Sequence, residues 1–231
     1  MVAIFLIATA VVFLGMDYLV QRNRKRKTAS VPSLQKTHER FVVPRGYFFN
    51  SGHAWAELLP SGSVRVGIDD FLQKITGSID AIQILRQSAM VARGEPAVVL
   101  KQGNRRLLVA APVSGNIVAI NEQVLRNPSI LRNDPYAAGW IIMMEPTELD
   151  RDLRTMTIGT ATATWLRKEV SRFRDFISHA VAQPQFAHAG VTMADGGLPL
   201  GGALQHANDS SWQEFEQQFL AADSSDSSNQ L

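Results

Sequence analysis

Between Gly94 and Gly115 the chain reads GEPAVVLKQGNRRLLVAAPVSG, two apolar runs on either side of a polar Gly103-Asn104 step. A two-residue hairpin loop has few backbone solutions, and Gly-Asn suits it because both residues tolerate positive φ. With these two at the turn, Leu100 faces Leu107, Val99 faces Leu108 and Lys101 faces Arg106. Strand side chains alternate between faces, so a slip of one residue would turn the whole apolar set toward water. The turn therefore fixes the register, and the register fixes what is core.

The same grammar extends from Tyr47 onward. Short apolar runs with β-branched residues, such as Val64-Arg65-Val66-Gly67-Ile68, are punctuated by Gly, Pro, Asn or Asp at the spacing of a small all-β sandwich or barrel. Asp69-Asp70 opens a short helix with a capping residue, and a second short helix is expected over Glu122 to Leu131. After Pro146 the apolar side chains Leu166, Val170, Phe173, Ile177 and Val181 recur at helical spacing. This predicts a long amphipathic helix, placed over residues 155–182. Residues 183–231 read as a disordered tail rich in Gly, Ala, Pro and Ser, with a short helical motif at 211–221. Within that motif Trp212, Phe215 and Phe219 form an aromatic cluster with no core of its own, the pattern of a segment that docks on a partner.

The N-terminal segment from Val2 to Val20 is apolar apart from Asp17. At ~1.5 Å per residue it is long enough to cross a ~30 Å hydrocarbon core. Arg22, Arg24, Lys25, Arg26 and Lys27 follow this run rather than precede it, and no small-x-small cleavage pattern comes after it. A retained single-pass helix at 2–20 is expected, with the N-terminus outside and the main domain cytoplasmic. Residues 21–46 then serve as basic flank and linker. The net charge of +2 is carried unevenly, since that basic block is balanced by a stretch from Asp209 onward that holds acids and no base. The basic character is thus local, and a nucleic-acid partner is not expected.

Candidate chemistry is sparse. Cysteine is absent, and the five histidines lie far apart without metal-ligand spacing, so neither a thiolate nor a metal site is expected. No phosphate-binding glycine loop occurs, and Ser114 in Pro-Val-Ser-Gly lacks the flanks of a nucleophile elbow. No catalytic residues are assigned, and the chain is not expected to be an enzyme.

Several blocks together carry a family resemblance. They are Gly52-His53-Ala54-Trp55, Val64 through Phe71, Gly94-Glu95, Ala111-Pro112-Val113-Ser114-Gly115, Asn121-Glu122, Asp134-Pro135-Tyr136 and Gly139-Trp140. In order and spacing the chain resembles the H protein of the glycine cleavage system over residues 47–148. The resemblance implies a mainly β fold, a flattened barrel-sandwich hybrid of the lipoyl-domain type, with short helices added. It also implies a lysine at the hairpin tip whose amine carries lipoate. Counting from Gly94 or back from Gly115, that position is Asn104, which cannot form the amide. The acidic residue the family places three positions earlier falls on Lys101, and Arg105 and Arg106 follow, so the tip has changed sign.

These readings lead to a non-lipoylated, membrane-tethered adaptor or structural subunit without a cofactor, docking protein partners, with a membrane redox complex as one setting. Lys101, Gly103, Asn104, Arg105 and Arg106 form the hairpin-tip interaction surface, and Trp212, Phe215 and Phe219 a second one in the tail. The alternative is a working lipoyl-type carrier modified at a non-standard position, Lys101. A third reading has the basic tip binding a soluble anion. The bland reading of the tip charges is a solvated edge protected from aggregation.

Overall fold

The computed structural model describes residues 41–86, 90–181 and 201–220. In chain order the strands are β1 (Tyr47–Phe49), β2 (Ala54–Leu58), β3 (Val64–Ile68), β4 (Ala81–Ile84), β5 (Met90–Val91), β6 (Pro96–Gln102), β7 (Arg105–Ala110), β8 (Gly115–Ile120), β9 (Ile142–Pro146) and β10 (Thr157–Ile158). They form a seven-stranded sheet, ordered β10-β1-β2-β3-β9-β8-β5, and a three-stranded sheet, ordered β4-β6-β7. The fold is mainly β, and all pairings are antiparallel. Both sheets contribute to one core, with Val66, Ile68, Ile117 and Met144 from the larger and Val98, Leu100, Leu107 and Val109 from the smaller.

The central hairpin has the register its turn dictates. Gln102 pairs with Arg105, Lys101 with Arg106, Leu100 with Leu107 and Val99 with Leu108. Along β7 the alternation is clean: Leu107 and Val109 are buried while Arg106 and Leu108 face out. Gly103 takes a positive φ of 56°, whereas Asn104 does not, so only the first turn residue uses the freedom expected of both.

Helices close the ends of this framework. α1 (Asp70–Thr76) is capped by Asp69, whose carboxylate accepts the Leu72 amide at 2.8 Å. The single helix expected from Glu122 to Leu131 is two, α2 (Glu122–Arg126) and α3 (Ile130–Asn133), because Pro128 interrupts it. α4 (Leu149–Arg154) precedes β10, and α5 (Thr160–Val181) is the long amphipathic helix. Residues 155–159, assigned to that helix from sequence, instead carry β10, where Ile158 and Thr157 pair with Phe48 and Phe49. The buried stripe of α5 is Thr162, Leu166, Glu169, Phe173, Phe176 and Ile177, a set that includes one carboxylate.

Two boundaries differ from expectation. The linker reading of 21–46 fails at its end: Val42 donates its amide to Asp70 at 2.8 Å, Tyr136 donates its hydroxyl to the Val42 carbonyl at 2.5 Å, and Phe41 meets Phe71 edge-on. The disordered-tail reading of 183–231 fails over 201–220. There a 3₁₀ turn (Ala203–His206) leads into α6 (Asp209–Phe215) and one further π turn (Glu216–Leu220). The cap of α6 is Asn208, which accepts the Ser211 amide at 2.7 Å, so the motif starts earlier than 211. The span at 2–20 and the basic flank Arg22, Arg24, Lys25, Arg26 and Lys27 lie outside the described residues. Among the described residues no helix is long and apolar enough to cross a membrane.

Trp55 shows how tightly the larger sheet is closed. Its indole is fully buried and donates to the Ile68 carbonyl at 2.8 Å, lying across β3 at Gly67. A Cβ at Gly67 would stand 2.5 Å from the Trp55 ring and 2.9 Å from the Gly139 carbonyl. Gly67→Ala is therefore expected to destabilise the domain by about 1–3 kcal/mol, the usual range for overpacking, seen as a fall of several degrees in Tm. Val118→Ala, at a site 51% exposed, should leave Tm nearly unchanged and serves as the control.

Candidate functional site

The hairpin tip is built from both sides. On one side Asp80, just before β4, accepts the Gly103 amide at 2.7 Å, while its own amide donates to the Lys101 carbonyl at 2.8 Å. Gln102, the last residue of β6, is buried and its carboxamide donates to the carbonyls of Thr76 and Ser78. The turn is thus held to the end of α1 as well as to β4. Gly103 and Asn104 are exposed at the tip, Arg106 is exposed, and Lys101 is half-buried.

Arg105 is not the free surface charge that the sequence suggested. Its Nε donates to Asp209 Oδ1 at 3.0 Å, its guanidinium lies 5.4 Å above the Trp212 ring, and Nη1 reaches the Leu204 carbonyl at 3.4 Å. The basic tip therefore splits: Arg105 is held within the molecule, and Lys101 and Arg106 remain without an ion pair among the described residues.

Trp212, Phe215 and Phe219 are likewise spent within the chain. Trp212 is 4% exposed and donates its indole N–H to the Arg106 carbonyl at 2.9 Å. Phe215 and Phe219 stack at 4.9 Å and meet Phe173 edge-on at 5.8 Å each. Arg172 covers Phe219 at 4.2 Å and donates to the Gln218 carbonyl. Glu216 accepts the Leu108 amide at 2.9 Å. The segment expected to seek a partner has found its apolar surface on α5 and the outer edge of β7. Sequence reasoning missed Asp80, Asp209 and Glu216. The spacing of Trp212, Phe215 and Phe219 hinted at a helix there, but not at its Asn208 cap or at the surface it packs on.

Where the tip meets α6 a cleft of about 490 Å³ opens, lined by Asn104, Arg105, Arg106, Leu108, Trp212 and Glu216 among others. No group of three or more potential ligands that could hold a metal is present among the described residues.

A second polar cluster ties α5 to the larger sheet. His53 is fully buried with φ of 61°, an uncommon backbone state for a non-glycine residue. Its Nδ1 donates to Asp69 Oδ2 at 2.8 Å, and its ring stacks on Phe71 at 4.7 Å and leans on Trp165 at 5.1 Å. Its Nε2 faces Glu169 Oε2 at 3.9 Å, and Arg172 approaches the same oxygen at 3.1 Å. Asp69 spends its second oxygen on the cap of α1, so one carboxylate joins sheet entry, helix start and, through His53, the face of α5. Burial pushes the Glu169 carboxyl above its ordinary value of 4.5, against the opposing pull of His53 and then Arg172. Burial likewise pushes the Tyr136 phenol up, its hydroxyl being held between Val42 and Asp70.

A carboxyl whose pKa is raised on folding stabilises the fold below its unfolded pKa and loses that contribution as pH rises through the folded one. Glu169→Gln removes this term. Its Tm relative to the wild type should therefore be more favourable at about pH 7 than at about pH 4, a difference read by thermal unfolding at the two pH values.

The family model described as glycine cleavage H-protein matches residues 47–168. The chain is 32% identical to the probable glycine cleavage system H protein of Thermococcus kodakarensis over 127 residues, covering 55% of this chain and 94% of that one. It is 30% identical to glycine cleavage system H protein 2 of Aquifex aeolicus over 132 residues, covering 57% of this chain and 82% of that one. Among solved structures, a glycine cleavage system H protein from Mycobacterium marinum aligns with 28% identity and a TM-score of 0.42, covering 46% of this chain and 87% of that one.

Proposed function

The chain belongs to the glycine cleavage H-protein family, a family of carriers rather than catalytic enzymes, and we propose that this member is a non-lipoylated adaptor or structural subunit that docks partner proteins from a membrane tether. One observation carries the reading. Asn104 stands at the exposed tip of the β6–β7 hairpin, whose strands pair in continuous register from Gln102–Arg105 back to Val98–Val109, where the family resemblance calls for the acylated lysine.

The residues at the tip do not fit a lipoyl group. A carboxamide nitrogen is not a nucleophile toward an acyl donor, and the neighbouring Gly103, Arg105 and Arg106 offer no amine. Lys101 is three residues back, inside β6, with its backbone paired to Arg106 on one side and Ala81 on the other. What remains at the tip is shape and charge: a turn pinned by Asp80, with Arg106 and Lys101 beside it. Such a surface suits recognition of an acidic partner more than transport of a covalent arm.

The membrane tether rests on the apolar run at 2–20 and the basic block after it. It would place the docking domain beside a membrane assembly, of which a redox complex is one candidate. The second reading keeps the carrier role, with modification at Lys101, and is favoured by one observation: the Lys101 side chain is half-exposed and without an ion pair among the described residues.

Intact-mass measurement of protein isolated from its native source separates the two. The adaptor reading expects the mass of the bare polypeptide, and a lipoyl increment localised to Lys101 would overturn it. Membrane attachment is checked by fractionation. The full chain is expected to stay in the membrane pellet through an alkaline wash, while a form lacking residues 2–27 moves to the supernatant.

A further inference from the structure

We propose that the outer edge of β7, together with the aromatic face of α5, is a docking groove for an acid-tipped aromatic helix of a partner protein, and that residues 201–220 are the chain's own exchangeable occupant of that groove. The inference rests on the docking role of the hairpin argued above and names how that docking is regulated and what it recognises.

The groove has three features, each filled in cis. The first is the strand edge. β7 is the last strand of the smaller sheet, so the Arg106 carbonyl and the Leu108 amide point away from β6 and need partners. They receive the Trp212 indole N–H and the Glu216 carboxylate, each at 2.9 Å. Side chains, not a further strand, satisfy this edge, and any helix presenting the same two groups at the same spacing would do so equally.

The second feature is charge. Arg105 takes Asp209, whose side chain is 86% exposed. Arg105 itself is only 26% exposed, so the open end of the pair is the Asp209 carboxylate, which water reaches and a competing acid can replace, while a reversed charge at Arg105 would repel any acid-tipped helix. Arg106 stands beside it in the chain, exposed and without an ion pair among the described residues, and lines the same 490 Å³ cleft. An arriving carboxylate therefore finds one free guanidinium before it contests the occupied one.

The third feature is the apolar seat. Phe173 and Phe176 of α5 receive Phe215 and Phe219. These contacts are extensive, and exposing them to water would be costly. Exchange avoids that cost, because an incoming helix with aromatic residues at the same spacing fills the same seat. The occupant's advantage is then its attachment to the chain, which acts as an effective concentration rather than as a stronger contact. The family match covers residues 47–168, so β7 and its edge lie within the family unit whereas the segment that covers them lies outside the match.

The test uses the full chain and a fluorescent synthetic peptide of residues 207–220 as probe, read by anisotropy. In the wild type the seat is occupied, and peptide binding is expected to be weaker by about 100-fold or more than in the full-length triple variant Trp212→Ala, Phe215→Ala, Phe219→Ala. Adding Arg105→Glu to that variant should abolish binding, and a peptide carrying Asp209→Arg should restore it. Equal binding by wild type and triple variant, no binding by a cooperatively folded triple variant, or indifference to Arg105→Glu would each overturn the proposal. Hydrogen exchange on the wild type supplies a measurement that needs no variant. Amides of 209–220 are expected to exchange at least tenfold faster than those of 97–101, 107 and 109, and equal protection overturns an exchangeable occupant. These outcomes need no cellular partner. The docking role itself fails separately, if affinity purification from membranes recovers the protein alone from both wild type and triple variant.

Discussion

A two-residue turn has consequences far beyond its own length. Gly103 takes the one positive φ in the loop, Asp80 holds its amide, and Gln102 anchors the end of β6 to Thr76 and Ser78. With the turn fixed, the alternation of β7 sends Leu107 and Val109 inward and leaves Arg106 and Leu108 outside. The inward set closes the core between the two sheets. The outward set, with the edge groups of the same strand, makes the surface on which the C-terminal segment lies. A shift of one residue would exchange the two sets and remove core and groove together.

The second organising point is polar. His53 is held in a strained backbone state by its contact with Asp69, which also caps α1, while Glu169 brings α5 against the imidazole. The cluster joins one hydrogen bond, His53 to Asp69, whose loss would leave a buried group without its partner, to a His53–Glu169 contact at 3.9 Å that is electrostatic. It specifies where α5 lies, and α5 in turn supplies Phe173 and Phe176 as the seat for Phe215 and Phe219. Hairpin and helix thus meet through a segment that belongs to neither.

Much of this arrangement was legible in the amino-acid sequence, where the signal is local. The register of β6 and β7 follows from turn chemistry, the cap at Asp69 from its place before an apolar run, and α5 from its period. Where several distant elements decide the outcome, the sequence reading went astray. The spacing of Trp212, Phe215 and Phe219 marked a helix correctly but could not say that its missing core lay on α5, so an internal contact read as an external one. Arg105 read as free for the same reason, since Asp209 lies more than a hundred residues away in the chain. β10 is two residues long, too short for a periodic signal, and its pairing with β1 was absorbed into the expected helix. Glu169 on the buried stripe would count against amphipathicity, and only His53 and Arg172 explain it.

The sealed edge of β7 also bears on how many copies of this domain can be crowded together. An open strand edge is a template onto which a second molecule can add, and a hairpin of Val, Leu and Ala is apt material for such growth. Trp212 and Glu216 occupy the outward carbonyl and amide that a foreign strand would need first. Loss of the C-terminal segment would then show itself in concentrated solution as self-association through the smaller sheet, a hazard of solubility distinct from any change in what the domain recognises.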